Sequence, residues 1–307
     1  MDTSVIIVNW NTQEILLDCL ASIFRTVKEM SFEVWVVDNG STDGSVKAAK
    51  NKYPNINIIE NRKNKGFAAA NNQALKRIKG RYALFINTDA SLTDGAAKEL
   101  YDFMEFNQDA GIACGQLLNQ DGSRQNSFAN FPSFLSLLSN ETILGLLLPK
   151  QFPTKRRDYL TPIEVDSCIG ACMIVRKQAV DKVGLFDERY FFFLEETDWA
   201  YRMKKAGWKV YFVPTARIFH AQGKSVGTNA DARIMFYRSR YIYLKKWHTF
   251  MYCPFCGVVV IRLLVNTLLS LLGILFTLGL KHDLNKKFNI YIQLILWHLK
   301  GCPKGMN

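Results

Sequence analysis

Four apolar residues running into one acid at a polar turn constrain this chain more than any other stretch: Ala83-Leu84-Phe85-Ile86-Asn87-Thr88-Asp89-Ala90. An unbroken apolar run of this length predicts a short strand buried on both faces, as in a parallel sheet. Ligands of open α/β sheets sit beyond the carboxyl ends of the strands. Asp89 is therefore placed to hold a hard cation and, through it, the phosphates of a substrate. An ordinary strand-terminating Asx turn explains the octapeptide as well, and the flanking chain has to decide between the two.

The preceding residues read as a β-α alternation. Ser4-Val5-Ile6-Ile7-Val8-Asn9-Trp10 predicts a first buried strand, and the spacing of Leu16, Leu20, Ile23 and Phe24 predicts a helix over 15–27. Glu33-Val34-Trp35-Val36-Val37 predicts a second strand, closed by the turn Asp38-Asn39-Gly40-Ser41-Thr42-Asp43-Gly44-Ser45. A strand over 56–60, a basic loop over 61–66 and helices over 67–78 and 94–107 complete the pattern. This order implies an α/β fold with a mostly parallel sheet and helices on both faces. No Gly-x-Gly-x-x-Gly follows the first strand and no Gly-x-x-x-x-Gly-Lys-Ser/Thr occurs. Phosphates then need another counter-charge, and a metal at Asp89 supplies one. Asp38 is either an acceptor for a pyrimidine N–H or a turn and helix-cap residue.

Further along, Asn119-Gln120-Asp121-Gly122-Ser123 reads as a hairpin turn, and residues 133–148 as an apolar helix or lid before a basic loop at 150–157. A strand over 165–175 carries Gly170 and Ala171 inside it, for close approach by a sugar or phosphate or for tight packing. Glu195, Glu196 and Asp198 crowd a predicted helix start, where the dipole favours anions. Glu195, Asp198 and Arg202 share a face, so Asp198 and Arg202 can pair at i,i+4. Glu196 points elsewhere, and aromatic neighbours such as Phe191, Phe192, Phe193 and Trp199 can raise its pKa toward that of a useful base. A strand over 209–213 is followed by Ile218-Phe219-His220 and a polar loop over 221–228, which makes His220 either a structural histidine or a metal ligand.

Charge separates the two ends of the chain. The net charge is +12, and residues 233–307 hold eleven Lys/Arg against the single acid Asp283. These charges flank long aliphatic runs, a pattern that suits an anionic membrane surface and not a nucleic-acid groove. The composition divides the chain into a catalytic-type domain over 1–245 and a basic, apolar, membrane-associated tail over 246–307. The run 263–280 is just short of the ~20 residues that span a bilayer, with Arg262 expected to snorkel toward head groups. Residues 288–299 read as interfacial, so the tail spans, forms an in-plane hairpin, or packs as a helix on the catalytic domain. Seven scattered cysteines predict reduced thiols, and Cys253-Pro254-Phe255-Cys256 has no matching second pair for a metal site. Met1-Asp2-Thr3 leads straight into a strand, which predicts no cleaved leader.

In order, these motifs resemble those of the family 2 glycosyltransferases, especially their bacterial rhamnosyltransferase-like branch, from Ser4 to about Tyr243. The resemblance rests on Ser4-Val5-Ile6-Ile7-Val8-Asn9-Trp10-Asn11, Val37 to Asp43, Asn64-Lys65-Gly66-Phe67-Ala68-Ala69-Ala70-Asn71-Asn72, Asn87-Thr88-Asp89, Gly184-Leu185-Phe186-Asp187, Glu195-Glu196-Thr197-Asp198 and His220. It implies a GT-A fold and inverting, metal-dependent transfer of one sugar from a nucleotide-diphosphate sugar, a UDP-sugar or dTDP-rhamnose among them. The acceptor it implies is a glycan or polyprenyl-linked sugar at the cytoplasmic face of the cell membrane, in cell-surface polysaccharide synthesis. By that resemblance Val8, Asn9, Asp38, Asn64, Gly66, Asn87 and Thr88 bind the nucleotide, and Asp89 and His220 hold Mg²⁺ or Mn²⁺. Glu196 is the base, with Asp198 as the competing candidate. Asn87 stands where the family's Asp-x-Asp motif begins with an acid, and Glu196 where aspartate is commoner.

The residues suit that chemistry. Displacement at an anomeric carbon needs one base for the acceptor hydroxyl and positive charge at the departing diphosphate. A retaining glycosidase needs two opposed carboxylates at about 5 Å. The absence of a Gln-x-x-Arg-Trp motif argues against processive synthesis. A sugar nucleotidyltransferase would need a glycine-rich basic loop where Asn9-Trp10-Asn11 stands. An inactive sugar-nucleotide or glycan binder is the alternative that Asn87 motivates.

Overall fold

Alternation along the central strands sets the layers. In chain order the elements are β1 (Thr3–Asn9), α1 (Gln13–Thr26), β2 (Phe32–Asp38), α2 (Ser45–Lys52), β3 (Asn57–Glu60), α3 (Phe67–Leu75), β4 (Tyr82–Ile86), β5 (Ala90–Leu92), α4 (Ala96–Phe106), β6 (Ala110–Leu118) and β7 (Phe128–Ala129). There follow α5 (Phe134–Leu138), α6 (Glu141–Leu147), β8 (Ile163–Glu164), β9 (Ser167–Cys168), β10 (Cys172–Arg176), α7 (Lys177–Val183), α8 (Glu195–Lys205) and β11 (Lys209–His220). Three helices close the chain, α9 (Ala230–Trp247), α10 (Tyr252–Phe276) and α11 (His282–Leu299). The computed structural model describes residues 1–138, 141–149, 151–154, 157–221 and 230–302. The polar loop at 222–228 and parts of the basic loop at 150–157 lie outside them.

The main sheet has the order β3-β2-β1-β4-β10-β6-β11-β5, with β8 beside β11. β1, β2, β3 and β4 pair in parallel, as do β6 and β11, while β10, β5 and β8 oppose their neighbours. Val5, Ile7, Leu84 and Ile86 point to one face, where Leu16, Cys19, Leu20 and Ile23 of α1 cover them. Ile6, Ala83 and Phe85 point to the other, under Ala74 and Leu75 of α3 and Trp199 of α8. Strands covered on both faces have no polar side to present, which is why they read as unbroken apolar runs. Each large side chain buried this way contributes about 1.5–3 kcal/mol.

Two strands depart from their sequence reading. The run over 165–175 is two strands in two sheets: β9 pairs with β7, and β10 inserts antiparallel between β4 and β6. The chain crosses over at Ile169-Gly170-Ala171, where Ile169 N donates to Ser127 O and Ala171 O accepts from Asn87 N, both at 2.9 Å. Conversely, 209–213 and 218–220 belong to one strand, β11, whose register against β6 shifts between Val213 and Arg217. Pro214 offers no N–H to the ladder there, and Gly115 gives the shifted backbone room, since a Cβ on it would collide with Ala216 O. The apolar segment 133–148 forms two short helices, α5 and α6, with 139–140 outside the described residues.

The chain divides into two compact units, Met1–Phe131 with Gly145–Ser225 and Pro132–Leu144 with Val226–Asn307. Composition put the boundary at 245/246; by its contacts, α9 groups with the tail. In the second unit α10 and α11 form a helical hairpin in which Gly273 lies against Leu284, and Tyr241 Oη of α9 lies 2.7 Å from His298 Nε2 of α11. Arg262, expected to snorkel, donates from Nη1 to Leu137 O at 2.9 Å. Thr249–Phe276 is long and apolar enough to cross a membrane, and no other helix is among the described residues. Ile261, Leu268, Leu269, Leu275 and Phe276 are exposed along it.

Candidate active site

Parallel pairing brings the carboxyl ends of β1, β2 and β4 side by side, and the candidate residues lie along this edge. Asn9 and Asp38 are direct partners in the β1–β2 register, with Val8 one residue before them, half-buried in β1. Asn9 Nδ2 donates to Asp38 Oδ1 at 2.8 Å, and the backbone N–H groups of Gly40 and Ser41 donate to Asp38 Oδ2 at 3.1 and 2.9 Å. A carboxylate has about four lone-pair positions, so three are taken and one remains for a ligand. Asp38 thus serves the turn, as one of its two readings expected. A cleft of about 440 Å³ opens beside it, lined among others by Ser41, Lys47, Lys50 and Asn61. Asn87, Asp89 and Glu196 do not line it.

Asn64 and Gly66 are held by a residue that the sequence reading passed over. Asn39 Nδ2 lies 3.2 Å from Asn64 Oδ1 and 3.3 Å from Gly66 O, while Asn39 Oδ1 accepts from Asn61 Nδ2 at 3.1 Å. Asn64 Oδ1 also accepts from Gly66 N at 2.8 Å. Gly66 has φ +82°, and a Cβ there would lie 2.5 Å from Phe191 O, because Phe67 N donates to that carbonyl at 2.7 Å. Phe193 and Leu194 follow with positive φ of 72° and 65°, a backbone state that is rare and costly for such side chains. Gly66→Ala is expected to lose at least about 2 kcal/mol of stability through collision and left-handed strain together, read by urea denaturation. A loss below 0.5 kcal/mol would show that the 66–191 contact yields freely.

Asn87, Thr88 and Asp89 form the turn between β4 and β5, with Thr88 and Asp89 buried. β5 then pairs antiparallel with β11, in a register that sets His220 opposite Ala90. Ala221 N donates to Asp89 O at 2.8 Å. His220 is buried, and its Nε2 lies 3.4 Å from Asp89 Oδ1. Two atoms that far apart can both reach one cation at bonds of about 2.1 Å. The carboxylate oxygen suits a hard cation such as Mg²⁺ or Mn²⁺, and the imidazole nitrogen is a second donor beside it. No group of three or more such side chains occurs among the described residues. A site of this size fits a cation held jointly with substrate phosphates, the usual manner for Mg²⁺.

The acids at the start of α8 part company. Asp198 is fully buried, and its Oδ2 accepts from Arg202 Nε at 3.0 Å. Glu196 lies against the crossover turn: a Cβ on Gly170 would be 3.8 Å from Glu196 Cγ. Ala171, next in that turn, accepts the Asn87 N–H. Gly170 thus lies beside Glu196, while Ala171, the next residue, is bonded to the Asn87-Thr88-Asp89 turn. Burial pushes the Glu196 carboxyl up from 4.5 to about 7. Glu195 is buried deeper, its Oε2 has no hydrogen-bond partner among the described residues, and burial with the Glu196 charge beside it drives its pKa well up.

The carboxyl ends of β1, β2 and β4 thus gather Asn9, Asp38 and Asn87-Thr88-Asp89 along one edge, with His220 beside Asp89. Residues 4–184 match the Glycosyl transferase family 2 profile, and the chain belongs to that family; it is a glycosyltransferase. It is 31% identical over 238 residues to the N-acetylglucosaminyl-diphospho-decaprenol L-rhamnosyltransferase of Mycobacterium tuberculosis, covering 72% of this chain and 77% of that protein. It is 26% identical over 225 residues to the dTDP-rhamnosyl transferase RfbF of Shigella flexneri, covering 72% and 70%. The fold is that of the mannosyltransferase PcManGT from Pyrobaculum calidifontis, solved with GDP-Man and Mn²⁺. The TM-score is 0.60 at 15% identity, over 97% of this chain and 86% of that one. These likenesses carry the GT-A class of fold.

Proposed function

We propose that the protein transfers one sugar, with inversion, from a nucleotide-diphosphate sugar to a lipid-linked glycan acceptor at the cytoplasmic face of a membrane. The observation that carries this reading is that one turn, Gly170-Ala171, touches both Glu196 and the Asn87-Thr88-Asp89 segment. That turn ties the proposed base to the proposed diphosphate site through two adjacent residues. Asp38 accepts from the base, with Val8, Asn9, Asn64, Gly66, Asn87 and Thr88 shaping the nucleotide pocket. Asp89 and His220 hold a divalent cation, which when bound neutralises the charge of the departing diphosphate. Glu196, ionised above about pH 7, takes the acceptor hydroxyl's proton as that oxygen attacks the anomeric carbon from the opposite face. Donor and acceptor classes follow the two rhamnosyltransferase relatives: a dTDP-sugar and a polyprenyl-diphosphate sugar. The exposed apolar face of α10 and the basic residues of the tail would bind the membrane carrying that acceptor.

Release of nucleotide from dTDP-, UDP- and GDP-sugars, with Mn²⁺ or EDTA and a polyprenyl-diphosphate-GlcNAc acceptor, tests the reading. Release from one donor, suppressed by EDTA and in Asp89→Asn by at least about 100-fold, is expected. Donor binding without turnover across the acceptor panel would instead make the protein a binder.

A further inference from the structure

We propose that Gln125 is a positioning residue of the cation site: it fixes His220 as the Nδ1–H tautomer, so that Nε2 faces Asp89 as an unprotonated ligand. The proposal rests on the metal-dependent reading above and adds a residue to it from a separate element, the hairpin that follows β6. Gln125 is anchored through its backbone, with N donating to Leu117 O at 2.8 Å and O accepting from Gln116 Nε2 at 3.0 Å. Its side-chain Nε2 lies 2.6 Å from both His220 O and Asn119 Oδ1, and its Oε1 lies 2.8 Å from His220 Nδ1.

Donor and acceptor logic then orders the whole chain of contacts. A backbone carbonyl only accepts, so the Gln125 amide nitrogen must be the atom beside His220 O. The amide oxygen is thereby turned to Nδ1, and because it too only accepts, Nδ1 carries the proton. A neutral imidazole has one N–H, which leaves the lone pair on Nε2, 3.4 Å from Asp89 Oδ1. Two acceptors face one another across that gap, an arrangement suited to a shared cation. Histidines that bind metals commonly donate their other N–H to a carbonyl or carboxylate, which orients the ring and raises its basicity. The His220 side chain is only 10% exposed, so bulk water does not readily replace Gln125 at Nδ1.

Two readouts on the full-length protein test this. In metal-free ¹⁵N-labelled protein at pH 8.5, imidazole nitrogen shifts report the tautomer, with His220→Asn assigning the signal among the four histidines. Mn²⁺ affinity is then titrated by EPR in the presence of dTDP, and separately of UDP. Gln125→Leu is expected to move the proton to Nε2 and to weaken Mn²⁺ binding roughly 10–100-fold. Gln125→Glu keeps the oxygen acceptor but gives up the amide donors, and is expected to retain the Nδ1–H tautomer and most of the affinity. Should Gln125→Leu not fold, Gln125→Met takes its place. An unchanged tautomer and affinity in the apolar variant overturns the proposal. So does equal loss in the leucine and glutamate variants, which is what a role limited to tying the hairpin to β11 would give. Equal Mn²⁺ affinity in the wild type and Asp89→Asn overturns the metal reading itself. The tautomer, which needs no metal, tells that failure apart from a failure of Gln125.

Discussion

Replacing Glu196 by glutamine is expected to lower kcat by about 10³-fold, within the 10²–10⁴ that a positioned general base contributes, while donor binding stays within a few-fold. Donor titration by calorimetry and single-turnover transfer separate the two quantities. The pH dependence has a definite sign. The base acts as a carboxylate, and burial raises its pKa from 4.5 to about 7, so the rate falls about tenfold per pH unit below 7. Stability moves the opposite way. A carboxyl whose pKa is raised on folding stabilises the native state when protonated, and that contribution is lost as pH rises from 4.5 through about 7. Glutamine carries no charge to penalise. At pH 8 the inactive variant is therefore expected to be more stable than the wild type, by up to about 3 kcal/mol at 1.36 kcal/mol per unit. Glu196→Asp, which keeps the acid but withdraws it by one methylene, is expected to fall between the two in rate. A flat rate profile through pH 7, or transfer surviving in the glutamine variant, would move the base to another carboxyl.

The parts of this molecule legible in its sequence are those that one segment decides by itself. The runs Val5-Ile6-Ile7-Val8 and Ala83-Leu84-Phe85-Ile86 announce doubly covered strands, and the acids and amides that end β1, β2 and β4 fall on one edge because parallel strands share a direction. The i,i+4 pairing of Asp198 with Arg202 follows from helical geometry alone. Features made between distant segments left no such mark. Gln125 meets His220 across 95 residues, and nothing in Asn119-Gln120-Asp121-Gly122-Ser123 beyond a turn signal hints at it. Asn39 sits in the middle of a turn rich in such residues, where its own part in holding Asn64 and Gly66 has no separate signal. The division of 165–175 between two sheets depends on what Ser127 and Asn87 offer to Ile169 and Ala171, and not on any local propensity. The bond from Arg262 to Leu137 O joins residues 125 apart and likewise has no local signal.

Asp198→Ala is expected to cost about 3–5 kcal/mol of stability, the loss typical of breaking a buried ion pair from one side. The Asp198 side chain is 0% exposed and that of Arg202 17%, so removing the acid strands a guanidinium with little access to water. The damage extends beyond the pair. Arg202 Nη1 and Nη2 donate to Val183 O and Leu185 O at 3.0 and 2.7 Å, and Trp199 Nε1 donates to Gly184 O at 2.8 Å. This lacing holds α8 to the turn that carries Phe186, whose ring lies 4.1 Å from that of Trp199. Phe186 in turn exchanges backbone bonds with the Asn72 amide of α3, both at 3.0 Å. A chain of contacts thus runs from Asp198 to the helix that begins at Gly66. Asp198→Leu combined with Arg202→Met removes both charges and is expected to cost less than Asp198→Ala. It does not return to the wild type, because the Val183 and Leu185 carbonyls lose their donors at about 1–3 kcal/mol each if they stay buried. Urea denaturation of the single and double variants measures this. The same series separates Glu196 from Asp198: Glu196→Gln gains stability and loses rate, whereas Asp198 variants lose stability first. An Asp198→Asn protein as stable as the wild type but unable to transfer sugar would reverse these roles. The carboxylate paired with Arg202 would then be the base, and Glu196 a buried acid beside it.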